Sequence, residues 1–398
     1  MERSRQVIMR ILNRNENNPD SHSKKTEKKK SSRSPKPEVK EKKKRKRHVR
    51  KSRLRENSIE LYQSAVKPVS PFNKNVIGEI ITIEGVKYRR TRKLGSGGSS
   101  SVYEIQREDD GVAYALKEST RPQNWEIYRG EAQRLQALRK APHIINLIAH
   151  DFISNEQILR MVLELGETDL EHELKAHGGK FDDDTIRTFA LEIAKGIKEM
   201  HDVSIIHLDI KLANVMFVNG ALKIVDLGLS ATIPHGADFV IRNFMFGSNR
   251  PPEQIVPRSD GTYKLTKKVD VWGLGSVVYQ MRYGKKPFAD CSENPMIAVL
   301  DPNVRLQHEI GADPAMTEFL EMCTVRDVQN RATIDQLLAH RYLAQAFPLT
   351  PGSDVIALSP NGMKSESSAR ATLFKETHLK DPKEPNFNFT TGHSHTTN

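Results

Sequence analysis

Apolar and polar residues alternate through IITIEGVKYRRTRKL, residues 80 to 94, and this period of two predicts strands. The glycine-rich GSGGSSSVYEI follows, then the β-rich GVAYALKEST, so the opening reads as a β-hairpin roof. The period then changes. NWEIYRGEAQRLQALRK carries Ile127, Glu131, Leu135 and Leu138 at helical spacing, which predicts a helix turning these four towards a core. LRMVLELGETDL, residues 159 to 170, is a buried strand entering a short acidic connector, placed to be a hinge between lobes. TIRTFALEIAKGIKEMHD, residues 185 to 202, returns to helical spacing through Ile186, Phe189, Ile193 and Ile197 and reads as core scaffold. NVMF and LKIV then read as strands joined by a turn at Asn219-Gly220. The periodic region covers about 270 residues, long enough for two lobes.

Composition divides the rest. Residues 1–76 are rich in Lys, Arg, Ser, Asn and Pro, bury too little apolar area to offset ordering entropy, and are expected to be a disordered basic arm. The aromatic-poor residues 346–398 are expected to be a disordered tail, leaving a domain over 77–345 with lobes at about 80–164 and 167–345. The formal charge of +12 sits in the arm: Lys24 to Arg55 holds 18 Lys or Arg against three Glu, so the remainder is close to neutral. The block KKKRKRHVRKSRLR, residues 42 to 55, suits an import receptor, nucleic acid, an acidic protein or an anionic membrane surface, and no aromatic residues are interleaved for base stacking. No apolar run reaches membrane-spanning length, and the N-terminus lacks a secretory pattern. Cys291 and Cys323 fit neither a disulfide framework nor a zinc spacing and suit a reducing compartment.

Candidate chemistry follows the same order along the chain. Gly95, Gly97 and Gly98 remove side chains where backbone amides approach phosphate oxygens, although Ser100 stands at the third glycine position of G-x-G-x-x-G. Lys117 lies on the strand after this hairpin, where an ammonium reaches nucleotide phosphates. Glu131, on a core-facing helix, is expected to pair with it. Leu163 is placed behind an adenine pocket whose edge would be met by the backbone of Glu164 and Leu165. In IIHLDIKLANVMFVNGALKIVDLGLS, residues 205 to 230, Asp209 is placed to orient or accept a hydroxyl proton, and Lys211 to stabilise charge on a transferred phosphoryl group. Asn214 and Asp226 offer hard oxygen ligands for Mg²⁺.

These segments resemble a eukaryotic protein kinase domain over roughly residues 80 to 345: HLDIKLAN as catalytic loop, DLG (226–228), PPE (251–253) and DVWGLG (270–275), with Arg331 where an arginine pairs with Glu253. GSGGSSSVY, YRGEAQRL, DVWGLGSVVYQMRYGKKPF and LDPN further resemble the monopolar spindle (TTK) kinases. The resemblance implies an α+β, two-lobed fold, with a small β-rich lobe bearing one main helix and a larger helical lobe. It implies ATP and Mg²⁺ as cofactors and protein substrates modified on Ser and Thr, in some members Tyr. A nucleotide site is implied at Leu94, Gly95, Ser96, Gly97, Gly98, Val102, Ala115, Lys117, Leu163, Glu164, Leu165 and Met216. Mitotic checkpoint signalling in nucleus and cytoplasm, at kinetochore or spindle, is the implied setting.

Two departures qualify the resemblance. Leu208 stands before Asp209, where an arginine in many kinases binds an activation-loop phosphate, and no Ser, Thr or Tyr lies between Thr232 and Ser248. Activation through a mid-loop phosphate is therefore not expected; constitutive activity, a regulatory partner or self-association remain, with Asp238 as a candidate fixed charge. Only Ser248, Asn249 and Arg250 separate Gly247 from PPE, a shortening that would alter substrate docking. Ser248 is placed to bond Asp209 and Lys211, and the apolar FVIRNFMF (239–246) is expected to pack on the large lobe or a partner. A nucleotide-binding scaffold without transfer, and a module acting through its basic arm, are the alternatives to an active enzyme.

Overall fold

Six antiparallel strands form the first layer: β1 (Ile80–Ile83), β2 (Val86–Ser96), β3 (Ser100–Arg107), β4 (Ala113–Ser119), β5 (Leu147–Ile153) and β6 (Ile158–Leu163), in spatial order β1-β2-β3-β4-β6-β5. The computed structural model describes residues 76–96, 100–119, 125–153, 158–243, 247, 249–291 and 294–346. The readings of the basic arm, the C-terminal tail, Gly97, Gly98, Ser248 and 244–246 lie outside the described residues.

Register decides what this sheet shows to the cleft. Val102 pairs with Lys117 and Lys117 with Met161, while Ala115 pairs with Leu163. Directly opposed residues share a face, and so do residues two apart on one strand. Val102, Ala115, Lys117 and Leu163 therefore line one face, and Glu118 takes the other. There the Glu118 carboxylate accepts from Arg90 at 2.7 Å and Arg160 at 2.8 Å, and Arg90 also lies over the Tyr103 ring at 4.7 Å.

The helix predicted after the sheet's fourth strand is α1 (Trp125–Ala137), lying against β5 and β6. Tyr128, Glu131, Ala132, Leu135 and Leu138 are buried, but Ile127, expected on that face, is 48% exposed. At about 100° per residue, Ile127 falls roughly a quarter-turn from Tyr128, on the flank of the face that Tyr128, Ala132 and Leu135 bury.

The second lobe is built on α3 (Asp183–Asp202), with Asp182 capping the Thr185 N–H and all four predicted apolar positions buried. Before it come β7 (Thr168–Asp169) and α2 (Leu170–Ala176). After it, β8 (Ile205–Ile206) precedes a 3-10 turn (Leu212–Asn214) and the hairpin of β9 (Val215–Val218) and β10 (Ala221–Ile224), joined at Asn219-Gly220 as the sequence predicted. The activation loop contributes β11 (Ala231–Thr232), paired with β8, and β12 (Val240–Arg242), paired with β13 (Tyr263–Leu265). α4 (Pro252–Ile255) lies before β13; α5 (Lys268–Tyr283), α6 (Pro295–Leu300), α7 (Pro314–Cys323), α8 (Ile334–Leu338) and α9 (Arg341–Ala344) complete the lobe. One contiguous apolar core runs from Val102 and Ala115 through Met216 and Val225 to Ile193 and Leu274, giving the α+β, two-lobed architecture. Buried Arg331 grips Glu253 at 2.6 and 3.0 Å, fixing α4 against the helices. Among the described residues no helix is long and apolar enough to cross a membrane.

His143, in the loop between α1 and β5, is tied to α3: its Nδ1 meets Glu199 at 2.5 Å and its Nε2 meets Glu192 at 3.1 Å. Burial alone would lower its pKa, but the two carboxylates prevail and lift it from 6.5 to about 9. A raised folded-state value means the stabilisation is complete below about pH 6.5 and is lost as pH rises through about 9. The denaturation midpoints of wild type and His143→Gln are expected to differ most at pH 6 and to converge above pH 9; parallel curves would contradict this assignment.

Candidate active site

Lys117, brought into the cleft by the register of β4, reaches two carboxylates at once. Its Nζ lies 2.8 and 3.1 Å from the Glu131 oxygens and 2.9 Å from Asp226 Oδ1. These partners come from α1 and from the turn after β10, so one ammonium joins elements of both lobes. Burial opposes ionisation of Asp226, yet Lys117 prevails and holds its pKa down to about 2. Burial likewise opposes a charged Lys117, and Asp226 with Glu131 more than reverses this. Asp226 adopts φ 59°, a left-handed conformation uncommon for a non-glycine residue, at the point where its carboxylate meets Lys117.

A second cluster surrounds Asp209. Lys211 Nζ lies 2.7 Å from Asp209 Oδ2, and Asn214 Nδ2 donates to the Asp209 carbonyl at 3.0 Å and to Oδ2 at 3.3 Å. The Asn214 amide nitrogen thus faces Asp209, leaving Oδ1 as the atom able to meet a cation. Asp209 Oδ1 faces Gly247: a Cβ built there would stand 3.2 Å from it, and φ 107° already favours glycine.

The loop carrying Asp209 is suspended from α5. Asp270 Oδ1 accepts from the Leu208 N–H at 2.8 Å; Oδ2 accepts from the His207 N–H at 2.8 Å and contacts His201 Nε2 at 2.9 Å. Leu208 itself sits at φ 69° and packs in an apolar cluster with Ile206, Ile233, Val240, Leu265 and Val269. The activation loop is thereby seated on leucine through Ile233 and Val240. Asp238, the candidate fixed charge, is exposed and forms no ion pair among the described residues. Of the apolar FVIRNFMF run, Val240 is buried, Phe239 lies under Lys264 at 4.1 Å and Ile241 stays 42% exposed.

Ala115, Leu163, Met216 and Val225 wall an apolar slot that ends at Lys117 and Asp226. Gly95 and Val102 pair above it, with Leu94 packed in the same core and Ser96 at the end of β2. Glu164 borders the slot, but its N–H donates to the Asn146 carbonyl at 3.2 Å and its carboxylate pairs with Lys223 at 2.7 Å, so its carbonyl is the group left for an adenine edge. Leu165 packs against the core and is not among the residues bordering the slot. Gly166 was missed from sequence: a Cβ there would lie 2.4 Å from Met216 Cε, a close approach that no local pattern announces. Asp270 opens the DVWGLG motif quoted from sequence, but its role under the catalytic loop was missed, as was Arg134, since their partners lie 62 and 93 or more residues away.

Asn214 and Asp226 supply two oxygen donors. Among the described residues no group of three His, Cys, Asp or Glu forms a closed metal cage. A hard ion such as Mg²⁺ fits such an open pair when phosphate oxygens and water complete its shell.

The family model described as protein kinase domain matches residues 88–343. Serine/threonine-protein kinase MPS1 of Saccharomyces cerevisiae is 28% identical over 309 residues, 72% of this chain and 40% of that protein. Serine/threonine-protein kinase mph1 of Schizosaccharomyces pombe is 30% identical over 297 residues, 67% and 44% respectively. Dual specificity protein kinase TTK of Mus musculus is 27% identical over 327 residues, 79% and 38%. The matches thus span less than half the length of each of these relatives.

Proposed function

This chain belongs to the protein kinase family, and on that premise we propose that it transfers the γ-phosphate of ATP to Ser and Thr hydroxyls of protein substrates. The observation that carries this reading is Lys117 held between Glu131 and Asp226, since the lysine–glutamate pair and the metal-binding aspartate must both be in place for transfer. Lys117 lies 2.8 Å from Glu131 and 2.9 Å from Asp226 with Leu208 at the position of the phosphate-binding arginine, which supports this reading without a loop phosphate.

In this reading the apolar slot takes the adenine and Lys117 orients the phosphates. Asp226 and Asn214 would hold the Mg²⁺, which when bound shields phosphate charge. Asp209 accepts a hydrogen bond from the substrate hydroxyl, orients it towards phosphorus and takes its proton late in the transfer. Lys211, fixed against Asp209, faces the developing negative charge. Gly247 keeps the approach to Asp209 Oδ1 clear. The names of the relatives support Ser and Thr as acceptors, with Tyr in the dual-specificity case. The likeness to MPS1 and TTK kinases supports a role in cell-cycle checkpoint signalling.

The test is Mg²⁺-dependent transfer of labelled γ-phosphate to a generic basic protein by the full chain. Asp209→Asn is expected to lower the rate by a factor on the order of 10²–10⁴ while nucleotide still binds. ATP binding without transfer by the wild type would favour the scaffold reading, for which the shortened segment between Gly247 and Pro251 is the motive.

A further inference from the structure

A second concavity, an open pocket of about 480 Å³, lies beside α1 and the activation loop. Arg134, Thr232, Pro234, Phe239, Ile241 and Arg242 line it. Arg134 Nε donates to Ser230 Oγ at 2.5 Å and its Nη2 to the Leu227 carbonyl at 3.2 Å; Arg242 Nη2 donates to the Ser230 carbonyl at 3.0 Å. Both guanidinium groups are half-buried and converge on the same serine, yet among the described residues neither forms an ion pair. Burial, and then Arg242 acting against Glu131, hold the Arg134 pKa down to about 10. Burial also lowers that of Arg242.

Two neighbouring cations raise one another's energy where the carboxylate near Arg134, Glu131, is ion-paired to Lys117, and among the described residues the bonds above leave most of their five-donor forks unspent. An anion bridging them relieves both conditions. A carboxylate carries one charge and matches one fork, whereas a phosphate monoester carries nearly two charges and three acceptor oxygens, enough to engage both. We propose that this pocket binds a phosphate monoester dianion, which clamps Arg134 of α1 to Arg242 of the activation loop. The clamp ties the helix bearing Glu131 to the loop, using donors that do not include residue 208.

Thr232, exposed on the pocket wall, is one source of the phosphate; a phosphorylated side chain of another molecule is the second. Phosphorylation of Thr232 forms the Oγ1–P bond to the ATP γ-phosphorus and breaks the bond to the β,γ-bridging oxygen. ADP leaves, and the hydroxyl proton passes to the base of the kinase that acts.

Inorganic phosphate, titrated into the full chain at constant ionic strength, is the probe, with the thermal midpoint as readout. Wild type is expected to rise with phosphate beyond a chloride control. Arg134→Gln and Arg242→Gln are each expected to need about tenfold more phosphate for the same rise. An equal response in all three, or none beyond chloride, would overturn the site; if Arg134→Gln does not fold, Arg242→Gln decides alone. Mass spectrometry and the same titration on chain phosphorylated at Thr232 separate the sources. Loss of the response means Thr232 fills the pocket in cis, and a retained response assigns it to a phosphate in trans. Binding is read without phosphoryl transfer, so an inactive chain with a working pocket is distinguishable from an active chain without one.

Discussion

Replacing Asp270 with alanine is expected to destabilise the domain by roughly 3–5 kcal/mol and to abolish phosphoryl transfer, although Asp270 is not placed at the phosphates. Its carboxylate, 1% exposed, accepts the His207 and Leu208 N–H groups and contacts His201. Alanine leaves these buried polar groups without that partner, and each unmet buried group costs about 1–3 kcal/mol. It also releases Leu208 from φ 69°, a conformation that costs about 1–3 kcal/mol in a non-glycine residue and persists only where surroundings enforce it. Asp209 follows directly, so relaxation at 208 moves the proposed base. Urea denaturation and single-turnover transfer at a temperature where the variant stays folded would measure both effects. A variant as stable and as active as wild type would show that the apolar seat of Leu208 alone holds the loop.

Glu118→Ala is expected to cost a further comparable amount, roughly 3–5 kcal/mol, because it strands buried cations. Arg90 is 2% exposed and shares the Glu118 carboxylate with Arg160. Its other carboxylate, Glu79, at 3.2 Å, is 45% exposed and screened by water, so Glu79→Ala is expected to cost less than about 1 kcal/mol. The two denaturation midpoints measured side by side test this ranking. Arg90→Met and Arg160→Met combined with Glu118→Leu should recover much of the loss, since the three charges of the cluster leave together. Equal small losses for Glu79→Ala and Glu118→Ala would remove the buried cluster from the account of stability. Because Glu118 adjoins Lys117 on β4, lowered ATP affinity is expected to accompany the loss.

Local pattern carried much of the fold. The alternation in IITIEGVKYRRTRKL became β1 and β2, and the spacing of Ile186, Phe189, Ile193 and Ile197 became the buried face of α3. Asn219-Gly220 closed the hairpin between β9 and β10. Those signals are legible because strand and helix periods are properties of the backbone itself. The same reasoning failed at Ile127, because a helical period tells which residues share a face but not where across that face the buried stripe is centred.

Lys117, Glu131, Asp209, Asn214 and Asp226 were named from their order and motifs, and the fold brings Lys117 to Asp226 across 109 residues of chain. Sequence alone thus determined the element types, the kinase likeness and the positions able to carry its chemistry. Only the tertiary structure decided the partners. It set Glu118 against Arg90 rather than leaving two adjacent arginines in solvent, seated Leu208 on Ile233 and Val240, and turned Arg134 and Arg242 towards one serine. Elements are specified by short-range periodicity, whereas pairing between distant side chains depends on how packed elements approach, which no local window contains.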